Sequence, residues 1–266
     1  MTLSAAPATL VLVRHGESTW IAEGRFQGRG DPPLSEVGMR QARAVGRRLA
    51  APERPPALPV PEGPALAIWH SPLARAAQTA RAIGEARADG AALAALDQLA
   101  ELGQGEWEGL THDEVRGQYP DELAAWRRDP LTSHAPGGES LSEALARARD
   151  AARTILGRPA QVIQDGSVGD PAVPAAGSPA DRPAEPVLGY ERRFGPDEDA
   201  LPAGWSIVVA HDGILRLLML DLLGVDPTRY WSFPFALAAV TVLDLLSGVV
   251  RLRAHNLPAD VVPPVG

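Results

Sequence analysis

The 266-residue chain contains no cysteine. Disulfides, thiolate metal sites and a cysteine nucleophile are therefore excluded. It contains no lysine either, since all 25 basic residues are arginine. That removes Schiff-base chemistry and the lysine of a phosphate-binding P-loop. No basic cluster accompanies the formal net charge of −8. A chain with that balance is a poor nucleic-acid binder, so any anionic ligand must find a local positive pocket against the overall field. The longest apolar runs, residues 207–223 and 233–246, are interrupted by His211, Asp212, Arg216, Asp221 and Asp244. They are too short or too polar to span a bilayer. Residues 1–6 lack the basic stretch of a secretory signal. These features lead us to expect a cytoplasmic protein, with no membrane association and an oligomeric state left open.

The apolar content is 45%, ordinary for a folded core. Residues 9–13 read as a buried strand. Ser35 is placed to cap a helix running to about Ala50, with Val37, Gln41, Val45 and Leu49 at helical spacing. A Pro-rich loop over 52–64 leads to a second strand at 65–69 and a helix through Arg75, Gln78, Thr79 and Ile83. Residues 96–102 read as extended. Short helices are expected over 111–119 and 121–128, and a longer one over 140–156 with an apolar stripe of Leu141, Leu145, Ala148, Ala152 and Ile155. Periodicity then stops, and a Pro-, Ala- and Gly-rich tract at about 157–203 reads as an insertion. Order resumes with a strand at 205–210, a helix at 214–223, and a hairpin of 238–246 and 249–254 about Ser247-Gly248. Strands alternating with helices predict a mixed or mostly parallel sheet covered on both faces, in one domain spanning 1–266.

Four segments bring reactive groups to strand ends or helix starts. They are Arg14-His15-Gly16-Glu17; the stretch from Ser71 through Arg75 to Thr79; the block Glu101-Leu102-Gly103-Gln104-Gly105-Glu106-Trp107-Glu108-Gly109-Leu110; and Ala210-His211-Asp212-Gly213. The carboxyl ends of strands are where open α/β sheets bind ligands. A neutral imidazole is nucleophilic near neutral pH, arginine forks bind phosphoryl oxygens, and a carboxylic acid can protonate a leaving alkoxide. The set therefore points to phosphoryl transfer through histidine. Glu101, Glu106, Glu108 and Glu17 compete for the acid's role, with Glu17 better suited to supporting the loop around His15. His70 reads as structural, Trp107, Trp126 and Trp231 as packing residues, and Arg25 and Gln27 as candidates for the substrate mouth.

Together with Gly24-Arg25-Phe26-Gln27-Gly28, Pro33-Leu34-Ser35-Glu36-Val37-Gly38 and Pro136-Gly137-Gly138-Glu139-Ser140, these blocks resemble the histidine phosphatase superfamily in the family's order. The resemblance covers about 9–156 and 205–255. It implies a three-layer α/β/α sandwich of the phosphoglycerate mutase-like type with a mostly parallel central sheet. It also implies a metal-independent phosphomonoesterase needing no cofactor and acting on a small-molecule phosphate ester. In that scheme His15 becomes phosphohistidine, Arg14 and Arg75 bind the phosphoryl oxygens, His211 donates a hydrogen bond to the transition state, and Glu101 protonates the leaving oxygen and then activates water. The Glu101 block resembles the phosphatase branch, which leaves a cofactor-dependent mutase as the alternative. Two positions depart from the family pattern. Ile21 follows Trp20 where Asn is usual, removing a phosphoryl hydrogen bond worth roughly 1.5–3 kcal/mol. Asp212 follows His211 where Gly is common, and a carboxylate there would raise the imidazole pKa. These departures motivate a third reading, a catalytically weak phospho-ligand binder.

Overall fold

The computed structural model describes residues 8–157, 204–246 and 249–259. In chain order the elements are β1 (Ala8–Arg14), α1 (Thr19–Ala22), α2 (Glu36–Ala50), β2 (Ala67–His70), α3 (Ala74–Arg87), β3 (Ala92–Ala95), α4 (His112–Gln118), α5 (Pro120–Arg128), α6 (Leu141–Leu156), β4 (Gly204–Ala210), α7 (Asp212–Leu223), β5 (Val240–Leu246) and β6 (Val249–Leu257), with short 3-10 turns between some of them. The insertion expected at 157–203 lies outside the described residues, except that Gly157 closes α6 in the left-handed conformation. The hairpin's Ser247-Gly248 turn also lies outside them.

One six-stranded sheet runs in the order β3-β2-β4-β1-β5-β6. The first four strands are parallel, and β5 and β6 are antiparallel to their neighbours. The centre is β1, whose apolar run is buried on both sides, as a central parallel strand requires. Its pleat sends Leu10 and Leu12 to one face, where they pack with Val208, Ala210 and Leu243 under α6 and α7. Val11 and Val13 go to the other face with Ile68, Ile207 and Val209 under α2 and α3. The result is a three-layer α/β/α sandwich. No helix among the described residues is long and apolar enough to cross a membrane.

Two local expectations need correction. Residues 96–102 are not a strand. The edge strand is the earlier Ala92–Ala95, and the chain then makes a 3-10 turn at Asp97–Leu99. Alanines carry little β signal, whereas the turn buries Leu99 and Leu102 beneath the helices. On α2, Val37 is 39% exposed and the buried stripe is Gly38, Ala42, Val45 and Leu49. The Ser35 hydroxyl caps the Gly38 N–H at 3.0 Å, turning Gly38 inward.

The inward turn of Gly38 fixes the loop that carries His15. A Cβ on Gly38 would lie 1.9 Å from the Glu17 carbonyl oxygen, and one on Gly16 would lie 2.6 Å from the Gly38 carbonyl oxygen. Two backbones thus touch where only glycine fits. Sheet register does the rest. Arg14 pairs with Ala210, the His15 N–H donates to the Ala210 carbonyl at 2.9 Å, and the Ser71 N–H donates to Val209 at 3.0 Å. The carboxyl ends of β1, β4 and β2 are therefore level, and His15, His211 and Ser71 emerge side by side.

Candidate active site

His15 is 1% exposed. Its Nδ1 lies 2.6 Å from the Gly16 carbonyl, an oxygen that only accepts, so Nδ1 carries the proton and Nε2 keeps its lone pair. Burial, with the Arg75 and Arg14 charges adding to it, holds the imidazole pKa well below its ordinary value. The ring is neutral and nucleophilic at physiological pH.

Two arginines flank it. Arg14 donates from Nη1 to the Phe235 carbonyl at 2.6 Å. Arg75, wholly buried, donates from Nη1 to Gly30 (2.7 Å) and from Nη2 to Gly28 (2.9 Å). Burial lowers its pKa to about 10, so it stays cationic near neutrality. The Nε of each guanidinium is buried without a hydrogen-bond partner, an arrangement suited to an anion that both forks can reach. The Thr79 hydroxyl ties the two segments together, accepting from the Gly16 N–H at 3.2 Å and donating to the Arg75 carbonyl at 2.8 Å.

His211 is fully buried, with its ring centroid 5.0 Å from that of His15 and the planes at 61°. Its Nε2 is 2.7 Å from the Ser71 hydroxyl, and its Nδ1 is buried without a partner. The Ser71 hydroxyl already accepts the Leu73 N–H at 3.3 Å, which leaves its own proton to donate to Nε2 and puts the ring proton on Nδ1, a third donor without a partner. Burial, followed by Arg75, His15 and Arg14, pushes the His211 pKa well down. The expectation that Asp212 would raise it is wrong. The Asp212 carboxylate faces away and grips Arg216 through both oxygens, at 2.9 and 2.7 Å, while also accepting the Phe235 N–H at 3.0 Å.

Glu101 sits at the start of α7. Its Oε1 accepts the N–H groups of Leu102 (2.9 Å) and Ile214 (3.2 Å), and its Oε2 that of Gly213 (3.2 Å). Burial is the largest influence and raises its pKa above the usual carboxyl value, with Asp212 adding to the rise while backbone N–H bonds and Arg75 oppose it. The rival carboxylates are engaged elsewhere. Glu17 accepts from the Ser35 hydroxyl at 2.6 Å, Glu106 from the Tyr119 hydroxyl at 2.9 Å, and Glu108 from the N–H groups of Arg29 and Gln104, both at 2.9 Å. His70 contacts the Ser71 carbonyl through Nδ1 at 2.8 Å, as a structural histidine would. Among the described residues no group of three or more His, Asp or Glu is arranged to hold a metal ion.

A cavity of about 320 Å³ opens beside Arg14 and Glu101. Arg25 and Gln27 line it. Arg25 bonds Glu23 (2.7 Å) and the Gly109 carbonyl (2.7 Å), and the Gln27 side-chain oxygen accepts from Ser18. Sequence reasoning missed part of this wall. Trp107 is a core residue, but Trp126, Tyr230 and Trp231 face the cavity. It also assigned no role to Ser71, although that residue stood in the second motif block.

A mostly parallel α/β sheet carrying two juxtaposed imidazoles, two guanidinium groups and a carboxyl at one end is a set suited to handling phosphoryl groups through histidine. The chain belongs to the histidine phosphatase superfamily (branch 1), whose model matches residues 10–163 and 197–258. It is 28% identical over 239 residues to phosphoserine phosphatase 1 of Hydrogenobacter thermophilus, covering 89% of this chain and 86% of that protein. It is 35% identical over 147 residues to the metal-independent phosphoserine phosphatase of Arabidopsis thaliana, covering 55% of this chain and 57% of that one. A solved structure of mycobacterial glucosyl-3-phosphoglycerate phosphatase with VO3 superposes with a TM-score of 0.65 at 25% identity, covering 94% of this chain and 98% of that one.

Proposed function

We propose that this chain is a phosphomonoesterase that works without a metal, through a phosphohistidine on His15, in a single domain and on a small-molecule ester in the cytoplasm. One observation carries the reading. His15, with Nε2 unprotonated, lies 5.0 Å ring to ring from His211 and within the field of Arg75 and Arg14, and Arg14 Nε, Arg75 Nε and His211 Nδ1 are each buried without a hydrogen-bond partner. Donors so arranged match the oxygens of a transferring phosphoryl group, on which negative charge is spread.

In the first step Nε2 attacks phosphorus, the P–N bond forms and the ester P–O bond breaks. The leaving oxygen takes the Glu101 proton. In the second step water attacks phosphorus, Glu101 as carboxylate takes the water proton, and the P–N bond breaks to release phosphate. Each general acid–base role contributes roughly 10²–10⁴-fold. Arg25 and Gln27 border the space where the leaving alcohol lies.

The test is hydrolysis of p-nitrophenyl phosphate with EDTA present. Wild-type turnover should persist, and His15→Ala should abolish it. Turnover that survives His15→Ala would sink the reading. A mutase would isomerise 3-phosphoglycerate when primed with a bisphosphoglycerate, and we expect net phosphate release with no isomerisation. The weak-binder alternative loses half its motivation in the Asp212–Arg216 pair, which keeps that carboxylate off the imidazole, and ready turnover would remove it.

A further inference from the structure

We infer that the leaving group this enzyme selects is a flat, largely apolar alcohol carrying no charge, held against an aromatic wall beside Glu101; the inference rests on the phosphatase reading above. The cavity is on the side of the site where the leaving oxygen must lie, because Glu101 and Arg14 both border it. Its apolar and aromatic wall is formed by Ile21, Phe26, Trp126, Tyr230 and Trp231. Trp231 remains 40% exposed and lines the same cavity as Arg14 and Glu101.

The wall is preorganised. Trp126 and Trp231 meet edge to face at 4.9 Å, and Tyr230 and Trp231 do so at 4.8 Å. The Arg216 guanidinium lies 5.2 Å from the ring centres of both Tyr230 and Trp231, and Asp212 fixes it through two hydrogen bonds. Asp212 therefore has a use, since it anchors the cation on which these rings are stacked. Ile21 fits the same pattern by placing a branched apolar side chain at the mouth.

The charges lining the cavity argue against an amino acid or hydroxy acid ester. Such a leaving group brings a carboxylate that needs a cation. Of the basic groups lining the cavity, Arg14 serves the phosphoryl end, Arg25 has Nε on Glu23 and Nη1 on the Gly109 carbonyl, and His112 packs its ring edge to face with Phe26 at 4.7 Å. An ammonium group would need an acid, but Asp212 is occupied by Arg216 and Glu101 must carry the transferred proton. Gln27 and Gln104 add uncharged polar groups to the lining, suited to a few neutral heteroatoms on an otherwise apolar ring.

The experiment compares kcat/KM for 2-naphthylmethyl phosphate, ethyl phosphate and O-phosphoserine. All three leave as alkyl alcohols, so leaving-group chemistry does not set the order. The naphthylmethyl ester should lead by at least about 30-fold, the scale on which apolar pockets discriminate. Trp231→Ala should cut its lead over ethyl phosphate about tenfold, and Trp231→Phe should keep most of it. Because a variant can fail to fold, the free alcohol gives a second reading on wild type. 2-Naphthylmethanol should inhibit ethyl phosphate hydrolysis competitively, and serine should not. Hydrolysis of ethyl phosphate or phosphoserine as fast as the naphthylmethyl ester overturns this inference and leaves the phosphatase reading standing. Hydrolysis of none of the three overturns both.

Discussion

Glu101 is held by opposing influences. Burial favours its neutral form, while the Leu102, Gly213 and Ile214 N–H groups favour the carboxylate. The same group can therefore give a proton in one half-reaction and take one in the next. The sign of the pH dependence follows. Formation of the phosphoenzyme needs neutral His15 and protonated Glu101. The His15 pKa is lowered, so the imidazole stays neutral into the acid range. The Glu101 pKa is raised, so the acid form persists to higher pH than for an ordinary carboxyl. For an alkyl phosphate, kcat/KM should hold across mildly acidic pH and fall as pH rises through the Glu101 pKa. Glu101→Gln should lower kcat/KM by roughly 10²–10⁴-fold and erase the alkaline limb; a profile that keeps this limb in the variant would assign it to another group. At this scale the motif residues were legible because strand ends in α/β sheets announce their reactive groups. Asp212 was misread. It follows His211 in sequence, but it opens α7, and the turn from strand to helix points its carboxylate at Arg216 rather than at the imidazole.

At the level of elements, α6 does more than cover the sheet. Arg147, on its inner side, donates to the Gln98 and Ala100 carbonyls at 2.9 and 2.6 Å and pairs with Glu139 at 2.7 Å. It clamps the segment that delivers Glu101. Arg147→Met should lower kcat on an alkyl phosphate about tenfold, as the loss of one positioning contact does, and should displace the alkaline limb of the pH profile. A variant with altered stability but an unchanged profile would reduce Arg147 to a packing role. The helix itself starts from a capping box, with the Ser140 hydroxyl accepting the Glu143 N–H and the Glu143 carboxylate accepting the Ser140 N–H. Ser140→Ala should cost about 1 kcal/mol in urea denaturation. Gly38→Ala has no room to relax, because the obstacle is the Glu17 backbone. It should destabilise the fold by about 1–3 kcal/mol and cut activity with it. The helices were legible from caps and periodicity, and β1 and β4 from their unbroken apolar runs. The alanine-rich edge strand β3 was not, because nothing in its side chains distinguishes sheet from helix.

Across the whole molecule, one buried cluster ties the antiparallel edge to the centre. Asp244 on β5 is wholly buried, accepts the Thr9 hydroxyl of β1 at 2.9 Å and pairs with Arg253 of β6. Asp244→Ala should cost about 3 kcal/mol by denaturant titration, since it leaves the buried Thr9 hydroxyl without its acceptor and breaks a buried ion pair; a cost below about 1 kcal/mol would show that water takes the place of the carboxylate. The layer architecture was legible because strands and helices alternate. The aromatic wall was not, because its parts lie at 21–26, 126 and 230–231 and meet only after folding. The site therefore divides by origin. Its reacting half hangs from the ends of β1, β2 and β4, where ladder register locks each group to the next. Apart from Arg14, Glu101, Leu102, Asp212 and Gly213, the side that receives the alcohol comes from the loop and helix segments over 21–27 and 104–126 and from the turn at Pro227–Ser232, none of them part of the sheet. Selection can therefore act on the two halves separately. Drift in those outer segments would change which alcohol is accepted while the phosphoryl chemistry is inherited intact, and grafting them into a related scaffold would carry the preference along.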